Sequence, residues 1–131
     1  MAQFKLEIVT PSRKFFDEDI EMLVVRTIEG DLAILKNHIP LVTPLTIGIL
    51  KLNYPDGTHK IATICGGYME VTKEKTTIVT DSAEWPGEID KERAEEAKRR
   101  AEARLKKDGD GTDVARAELA LKRALNRLSA K

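Results

Sequence analysis

The chain has 131 residues, a length that predicts one domain or one domain with a small appendage. Its 22 lysines and arginines equal its 22 aspartates and glutamates, so no overall charge attracts it to nucleic acid or to an anionic membrane surface. One cysteine and two histidines exclude an internal disulfide and make a structural zinc site unexpected.

The start of the chain has the features of neither a signal peptide nor a transit peptide. No apolar run approaches the roughly 20 residues of a membrane span. We therefore expect a soluble protein, or one that is held at a membrane by a partner.

The first part of the chain, residues 1–84, has the pattern of short β-strands. Phe4, Leu6 and Ile8 alternate with polar residues, which is typical of a half-buried strand. The same reasoning predicts strands at 21–28, 31–35, 46–54, 59–65, 68–72 and 76–82. So many short strands in about 80 residues indicate a β-sandwich or flattened barrel. The pair Gly66-Gly67 indicates a bulge or a close approach between sheets.

The composition changes at Pro86-Gly87, and alanine, glutamate, lysine, arginine and leucine dominate the rest of the chain. Helices are predicted at 90–106 and 113–129, and the short polar loop between them predicts an antiparallel hairpin. Thr112 or Asp113 is the expected N-cap of the second helix. The predicted fold is α+β, with a sandwich at 1–84, a hinge at 85–89 and a helical hairpin at 90–131.

The hairpin sequence indicates weak packing. Asp90 is placed to cap the first helix, and Ile89 and Ala94 have the spacing of a hydrophobic staple. Each helix carries a narrow apolar stripe rich in alanine: Ala94, Ala97, Ala101 and Leu105 in the first, and Val114, Ala117, Leu121, Ala124 and Leu128 in the second. Because such small side chains bury little area, the hairpin is predicted to be marginally stable and a candidate moving part.

Four arginines of the hairpin are predicted to lie at one level. If the loop centres near residue 110, Arg93, Arg100, Arg123 and Arg127 fall within roughly 10 Å along the helix axes. Spacing alone favours an ordinary solvated face, in which Glu96 and Arg100 form a favourable pair four residues apart. The alternative is a site for a polyanion such as a nucleoside triphosphate, since arginine forks match phosphate oxygens.

No feature of the sequence points to catalysis. Paired carboxylates, a Ser/His/Asp set and a Walker-type loop are not seen, so no catalytic residue is predicted. Cys65 is interpreted as a small core residue. His38 is either a structural loop histidine or part of a contact with a partner, and Trp85 either packs on the hairpin or caps the sandwich.

Three motifs resemble a known family. The stretches EGDLAILKNHIPLVTPL (29–45), CGGYMEV (65–71) and RAELALKRALNRLS (116–129) are similar to sequences of the epsilon subunits of bacterial F-type ATP synthases. The order of sandwich, short linker and helical hairpin is also that of the family. In addition, IDKERA (89–94) resembles the motif with which some of these subunits bind ATP.

The resemblance implies a non-catalytic rotor subunit of a proton- or ion-translocating ATP synthase. It implies a regulatory ATP, with no cofactor for catalysis and no metal site, and a hairpin that inhibits hydrolysis when it extends. The implied ATP contacts are Glu84, Ile89, Asp90, Arg93, Ala94, Arg100, Arg123 and Arg127. The implied contacts with the membrane ring are Glu29, Asp31 and His38.

The resemblance also implies partners and a location. The partners are the gamma subunit of the central stalk, the ring of c subunits and, through the extended hairpin, the alpha and beta subunits of the catalytic head. The location is the cytoplasmic face of the bacterial cell membrane, reached through the complex. The alternative is an adaptor whose hairpin docks a partner protein or nucleic acid without nucleotide control, although the balanced charge argues against nucleic acid.

Overall fold

A computed structural model describes residues 2–106 and 114–130 of the chain. In chain order the described strands are β1 (Phe4–Val9), β2 (Lys14–Ile20), β3 (Met22–Thr27), β4 (Gly30–Leu35), β5 (Leu41–Pro44), β6 (Ile47–Asn53), β7 (His59–Cys65), β8 (Tyr68–Val71), β9 (Thr76–Val79) and β10 (Ala83–Glu84). A 3-10 turn at Pro86–Glu88 follows, and then the helices α1 (Lys91–Lys106) and α2 (Val114–Ser129).

The strands form two five-stranded sheets, in the orders β2-β1-β9-β8-β5 and β10-β7-β6-β3-β4. Only β1 and β9 pair in parallel among these described ladders. In β1, β3, β8 and β9 the buried residues alternate with more exposed ones, and the core between the sheets includes Leu6, Ile8, Leu23, Leu50 and Ile78. The predicted sandwich is therefore confirmed, and the period-two pattern holds in these strands, whereas β2 and β7 bury adjacent residues.

The predicted strands agree with the structure except in three places. The strand β2 was not predicted, because its sequence KFFDEDI places Asp17, Glu18 and Asp19 in succession and so hides the alternation. The four-residue strand β5 was also missed. The run predicted at 76–82 ends at Val79, and the short β10 joins the other sheet.

Gly66 and Gly67 connect β7 of the second sheet to β8 of the first. Both have positive φ, of 77° and 97° respectively. A Cβ on Gly67 would overlap the carbonyl oxygen of Val79 and lie 2.7 Å from the Cα of Thr80. The close approach is therefore between the backbones of neighbouring strands of the first sheet, since β8 pairs with β9, and not between the two sheets as the sequence suggested.

The second unit of the fold, Pro86–Lys131, contains the helical hairpin. The two helices pack against each other, and Ala94, Ala101, Ala117 and Ala124 are buried. Val114 was predicted to belong to the apolar stripe of α2, but its side chain is 48% exposed. It is the first residue of the helix, and the buried part of the stripe begins one turn later, at Ala117. The predicted loop at 107–112 and the N-cap at Thr112 or Asp113 lie outside the described residues.

The first unit is Met1–Trp85, so the division falls one residue after the predicted boundary. The indole of Trp85 stacks on Phe15 with ring centroids 4.5 Å apart and meets the edge of Phe16 at 6.1 Å. The Nζ of Lys60 lies 5.6 Å from the centre of the same indole. Trp85 therefore belongs to the sandwich rather than to the hinge, because aromatic stacking and a cation hold it there.

Neither helix in the described part of the chain is long and apolar enough to cross a membrane.

Candidate functional site: an arginine face and a carboxylate turn

The first helix begins with the predicted cap. The Oδ1 of Asp90 accepts a hydrogen bond from the backbone N–H of Arg93 at 3.1 Å, and its carbonyl accepts from the N–H of Ala94 at 3.0 Å. Ile89 is half-buried, and its N–H donates to the carbonyl of Pro86 at 3.3 Å. The cap therefore fixes the backbone of Arg93, while the arginine side chain remains exposed.

The buried alanines fix the rotation of each helix, which the sequence leaves undetermined. At 100° per residue, Arg93 and Arg100 lie roughly 90–110° around α1 from the direction of Ala94 and Ala101. Arg123 and Arg127 lie roughly 70–110° around α2 from its buried alanines, in the same rotational sense. Because the helices are antiparallel, equal rotations in the same sense point to the same side of the hairpin. The structure thus brings the four predicted arginines onto one side.

Two further arginines share this side. Arg104 and Arg116 lie roughly 70–90° from the buried alanines in the same sense, nearer to the residues that join the helices. Neither residue was in the set of four predicted from the sequence. The spacing of four from Arg100 to Arg104 was the signal that could have found Arg104. We call this side, Arg93, Arg100, Arg104, Arg116, Arg123 and Arg127, the arginine face.

The arginine face carries charge of one sign. The glutamates of the described helices fall on other sides, and Glu96 lies nearest, with its Oε1 3.5 Å from Nη1 of Arg100. Both partners of that pair are more than half exposed, so it contributes little and leaves the guanidinium accessible. Small side chains, Ala97 and Ala120, lie between the arginines of each helix. The face can therefore bind an anion with several negative charges.

Glu84, the remaining predicted ATP contact, lies in the other unit of the fold. It is the last residue of β10 and pairs with Thr63 in β7. Its carbonyl accepts a hydrogen bond from the hydroxyl of Thr63 at 3.4 Å. The sheet therefore fixes the backbone of Glu84 independently of the hairpin.

The predicted ring contacts Glu29 and Asp31 lie at the turn between β3 and β4. The hydroxyl of Thr27 donates to the carbonyl of Gly30 at 2.8 Å and accepts from the N–H of Glu29 at 3.2 Å. The positive φ of Gly30, 116°, completes the turn. The turn presents Glu29, Asp31 and the 74% exposed Ile28 to solvent.

Asp31 has a partner that sequence reasoning missed. The Nε of Arg26, directly opposite in the ladder, donates to the Oδ1 of Asp31 at 2.9 Å. The side chain of Arg26 lies against Gly48, where an added Cβ would stand 2.9 Å from the Cβ of Arg26. The absence of a side chain at Gly48 therefore leaves room for the arginine that orients Asp31.

His38 does not lie with Glu29 and Asp31. It follows the far end of β4, and at about 3.3 Å per residue the strand separates the two ends by roughly 16 Å. The three residues predicted as one ring contact therefore lie at opposite ends of the sandwich, because a single extended strand connects them.

Comparison with known proteins gives the family. The model of the β-sandwich domain of the ATP synthase delta/epsilon chain matches residues 3–86, and that of its long alpha-helix domain matches residues 88–131. The ATP synthase epsilon chain of Alkaliphilus metalliredigens is 56% identical over 127 residues, 97% of this chain and 94% of the relative. That of Bacillus velezensis is 52% identical over 128 residues, 98% of this chain and 96% of the relative. The chain belongs to the ATP synthase delta/epsilon family, as a subunit of the central stalk.

Solved structures of ATP synthases agree with this family assignment. A chain of the Euglena gracilis mitochondrial ATP synthase, solved as OSCP, F1 and c-ring, has a TM-score of 0.84 and 26% identity, with 96% of this chain and 79% of that chain covered. A chain from the central stalk and c-ring of the Tetrahymena thermophila mitochondrial enzyme has a TM-score of 0.64 and covers 98% of both chains. At 15% identity the second similarity supports the fold alone.

Proposed function

We propose that this chain is a non-catalytic regulatory subunit whose arginine face binds ATP and whose hairpin inhibits ATP hydrolysis when it extends. The observation that carries the proposal is the placement of Arg93, Arg100, Arg123 and Arg127 on one side of the hairpin. A triphosphate has enough oxygens to accept hydrogen bonds from several guanidinium groups at once.

Local structure supports the position of the nucleotide. Arg93 occupies the first turn of α1, where a cation is unfavourable unless an anion accompanies it. A phosphate bound by arginines of both helices would offset the repulsion among their positive charges and hold the two helices together. The resemblance adds Glu84, Ile89, Asp90 and Ala94 as further contacts.

The packing of the hairpin suits a switch. The buried side chains at its helix interface are alanines, and each buries far less apolar area than a leucine would. The folded hairpin is therefore only weakly favoured by its own packing. A ligand that binds the folded form alone shifts the population by its binding free energy, about 2.7 kcal/mol at a concentration 100 times Kd.

The sandwich provides the proposed connection to the membrane ring. We assign this contact to Glu29 and Asp31, because their turn is exposed and fixed by local hydrogen bonds. The gamma subunit binds elsewhere on the sandwich, and the extended hairpin reaches the alpha and beta subunits. The chain then lies at the cytoplasmic face of the membrane, held there by the complex.

Isothermal titration of the full chain with ATP tests the nucleotide site. Arg100→Ala and Arg123→Ala should each weaken binding about tenfold or more, since each removes a charge-assisted hydrogen bond. Arg99→Ala and Lys122→Ala are matched controls, because each removes a cation from the adjacent position on another side of the same helix. Equal losses in the controls, or no binding at millimolar ATP, would refute the site.

Inhibition requires a separate test in the assembled enzyme. Deletion of residues 88–131 should raise the rate of ATP hydrolysis while the sandwich keeps the complex coupled. An unchanged rate at both low and high ATP would refute the inhibitory role without affecting the binding result.

The ring contact is tested by charge reversal. Glu29→Lys should reduce ATP-driven proton pumping relative to hydrolysis, because it places a cation in the exposed turn. Lys51→Glu, a reversal on an exposed strand position away from the turn, is the control. Normal pumping by the Glu29 variant would refute this assignment.

A further inference from the structure

The carboxylate of Asp31 is held by a side chain of the neighbouring strand. The Nε of Arg26 donates to the Oδ1 of Asp31 at 2.9 Å, and the two residues lie opposite each other in the ladder of β3 and β4. Both side chains are more than half exposed, so this ion pair adds little to the stability of the fold. Its effect is to set the direction of a carboxylate that the turn presents to solvent.

Arg26 is itself held from the side of β6. Its carbonyl accepts hydrogen bonds from the N–H of Thr46 at 3.2 Å and from the hydroxyl of Thr46 at 3.4 Å. A Cβ added to Gly48 would stand 2.9, 3.2 and 3.9 Å from the Cβ, Cγ and Cδ of Arg26. The aliphatic stem of the arginine therefore occupies the space that a side chain at position 48 would need.

The glycine at position 48 is explained by this contact and not by its own backbone. Gly48 does not have the positive φ that is found at Gly30. It lies inside β6, where glycine weakens a strand because it has no side chain to pack. The three heavy atoms nearest to its missing side chain all belong to Arg26. The space at Gly48 is therefore used by the stem of Arg26.

The bond with Arg26 leaves one oxygen of the Asp31 carboxylate for another partner. Within residues 2–106 and 114–130, Oδ1 accepts from Arg26 and Oδ2 has no hydrogen bond. The turn beside it is fixed by the hydrogen bonds of Thr27 to Gly30 and Glu29. The carboxylate is therefore ordered before a partner binds, which lowers the entropy cost of the contact.

We propose that Arg26 is a positioning residue for the ring contact: it orients Asp31 so that Oδ2 is available to an N–H donor of the membrane ring, and Gly48 supplies the space that it needs. The inference rests on the proposed assignment of the ring contact to Glu29 and Asp31. It makes the contact depend on a residue of β6 that acts only through the arginine.

The first test uses the full chain without the ring. NMR of the isotope-labelled chain observes the Nε–H of Arg26, and R26K identifies this signal because lysine lacks the group. The signal should shift in D31N, which weakens the acceptor, and in G48A, which displaces the stem. K51Q removes an exposed cation from β6 and, as the control, should leave the signal unchanged. An unchanged signal in D31N would mean that the bond does not form, and would overturn the inference whatever the ring does.

The second test measures ATP-driven proton pumping per ATP hydrolysed in the assembled enzyme. D31N should lower this ratio, and R26M should lower it as well, since methionine keeps an aliphatic stem but donates no hydrogen bond. R26K should retain more pumping than R26M, because an ammonium group can still donate to the carboxylate. Equal losses in R26K and R26M would contradict a role that depends on a donor.

The double variant of R26M and D31N separates action through Asp31 from independent action. If Arg26 acts through Asp31, R26M lowers the ratio in the parent chain but not further in D31N. Losses that add would show that Arg26 acts on its own, and would overturn the positioning role. G48A should behave as R26M does, and its urea midpoint separates a lost contact from a loss of folding.

Two outcomes distinguish this inference from the proposed ring contact. If D31N loses pumping while R26M and G48A do not, the ring contact stands and the positioning role is overturned. If D31N pumps normally, Asp31 is not part of the ring contact and the inference fails with that assignment. Because Arg26 is exposed, R26M is not expected to unfold the sandwich, so its loss of pumping reports the contact itself.

Discussion

Substitution of Gly67 by alanine tests the crossing between the two sheets. Two costs add at this position. The positive φ of 97° costs an L-residue about 1–2 kcal/mol, and the new methyl group would overlap the Val79 carbonyl and the Cα of Thr80. Because these atoms belong to the backbone, they cannot rotate away as a flexible side chain would.

Two other glycines separate the costs. Gly57 has a φ of 88° but nothing within 4 Å of its position for Cβ, so Gly57→Ala has only the conformational cost. Gly87 also has open space and no positive φ, so Gly87→Ala has neither. Alanine reduces the entropy of the unfolded chain, which contributes about 0.4–1 kcal/mol in favour of each variant.

The expected order of stability follows from these terms. Gly87→Ala should be about 0.4–1 kcal/mol more stable than the parent protein, and Gly57→Ala should lose about 0.5–1 kcal/mol. Gly67→Ala should lose about 2–4 kcal/mol, since overpacking typically adds about 1–3 kcal/mol. With a slope of about 1–3 kcal/mol per molar urea, the midpoint of Gly67→Ala should fall by about 1–2 M.

Urea unfolding followed by the fluorescence of Trp85 measures this loss in the sandwich, since Trp85 packs against Phe15 and is the only tryptophan. If Gly67→Ala is as stable as Gly57→Ala, the close approach of the backbones does not constrain the fold and the reasoning is wrong.

The remaining predictions concern the helices and one turn. Asp90→Ala should lower the stability of the hairpin by about 1 kcal/mol, whereas Asp90→Asn should retain most of that stability. The thermal loss of the helical circular dichroism signal measures both changes. Equal losses in the two variants would contradict the capping role. Ala101→Leu should destabilise the hairpin by about 1–3 kcal/mol, whereas the exposed Ala103→Leu should have little effect in the same measurement. The hydroxyl and N–H of Thr58 donate to the Asp56 carboxylate and lower its pKa below its ordinary value of 3.8. The ionised carboxylate therefore stabilises the fold above pH 3.8. This contribution is lost as the pH falls through the lowered pKa of the folded protein. Asp56→Asn should therefore reduce the urea midpoint near neutral pH more than at about pH 3, and an equal reduction at both would contradict the assignment.

Regular alternation made strands such as β1 predictable, although β7, with four consecutive buried residues, was predicted as well and the alternating β5 was missed. Phe4, Leu6 and Ile8 reveal β1 because each second residue is apolar and enters the core. The strand β2 was missed because Asp17, Glu18 and Asp19 remain exposed in succession, so only Phe15, Phe16 and Ile20 mark its inner side. Its position is fixed by antiparallel pairing with the preceding strand β1.

The candidate site was predictable only in part. The helices, the Asp90 cap and the set of four arginines followed from local spacing. The rotation of the helices did not, because it depends on which face becomes buried. The partner of Asp31 was also hidden, since it depends on the pairing of β3 with β4 and on the space left at Gly48.

The change from strands to helices, the Asp90 cap, the alanine-rich stripes and the family can be recognised in the sequence, because they depend on residue types at short and regular spacing. Three relations emerge only in the folded chain: Trp85 belongs to the sandwich, six arginines share one side of the hairpin, and Glu29 and His38 lie at opposite ends of a strand. These relations join residues through packing and strand pairing, which local periodicity does not specify.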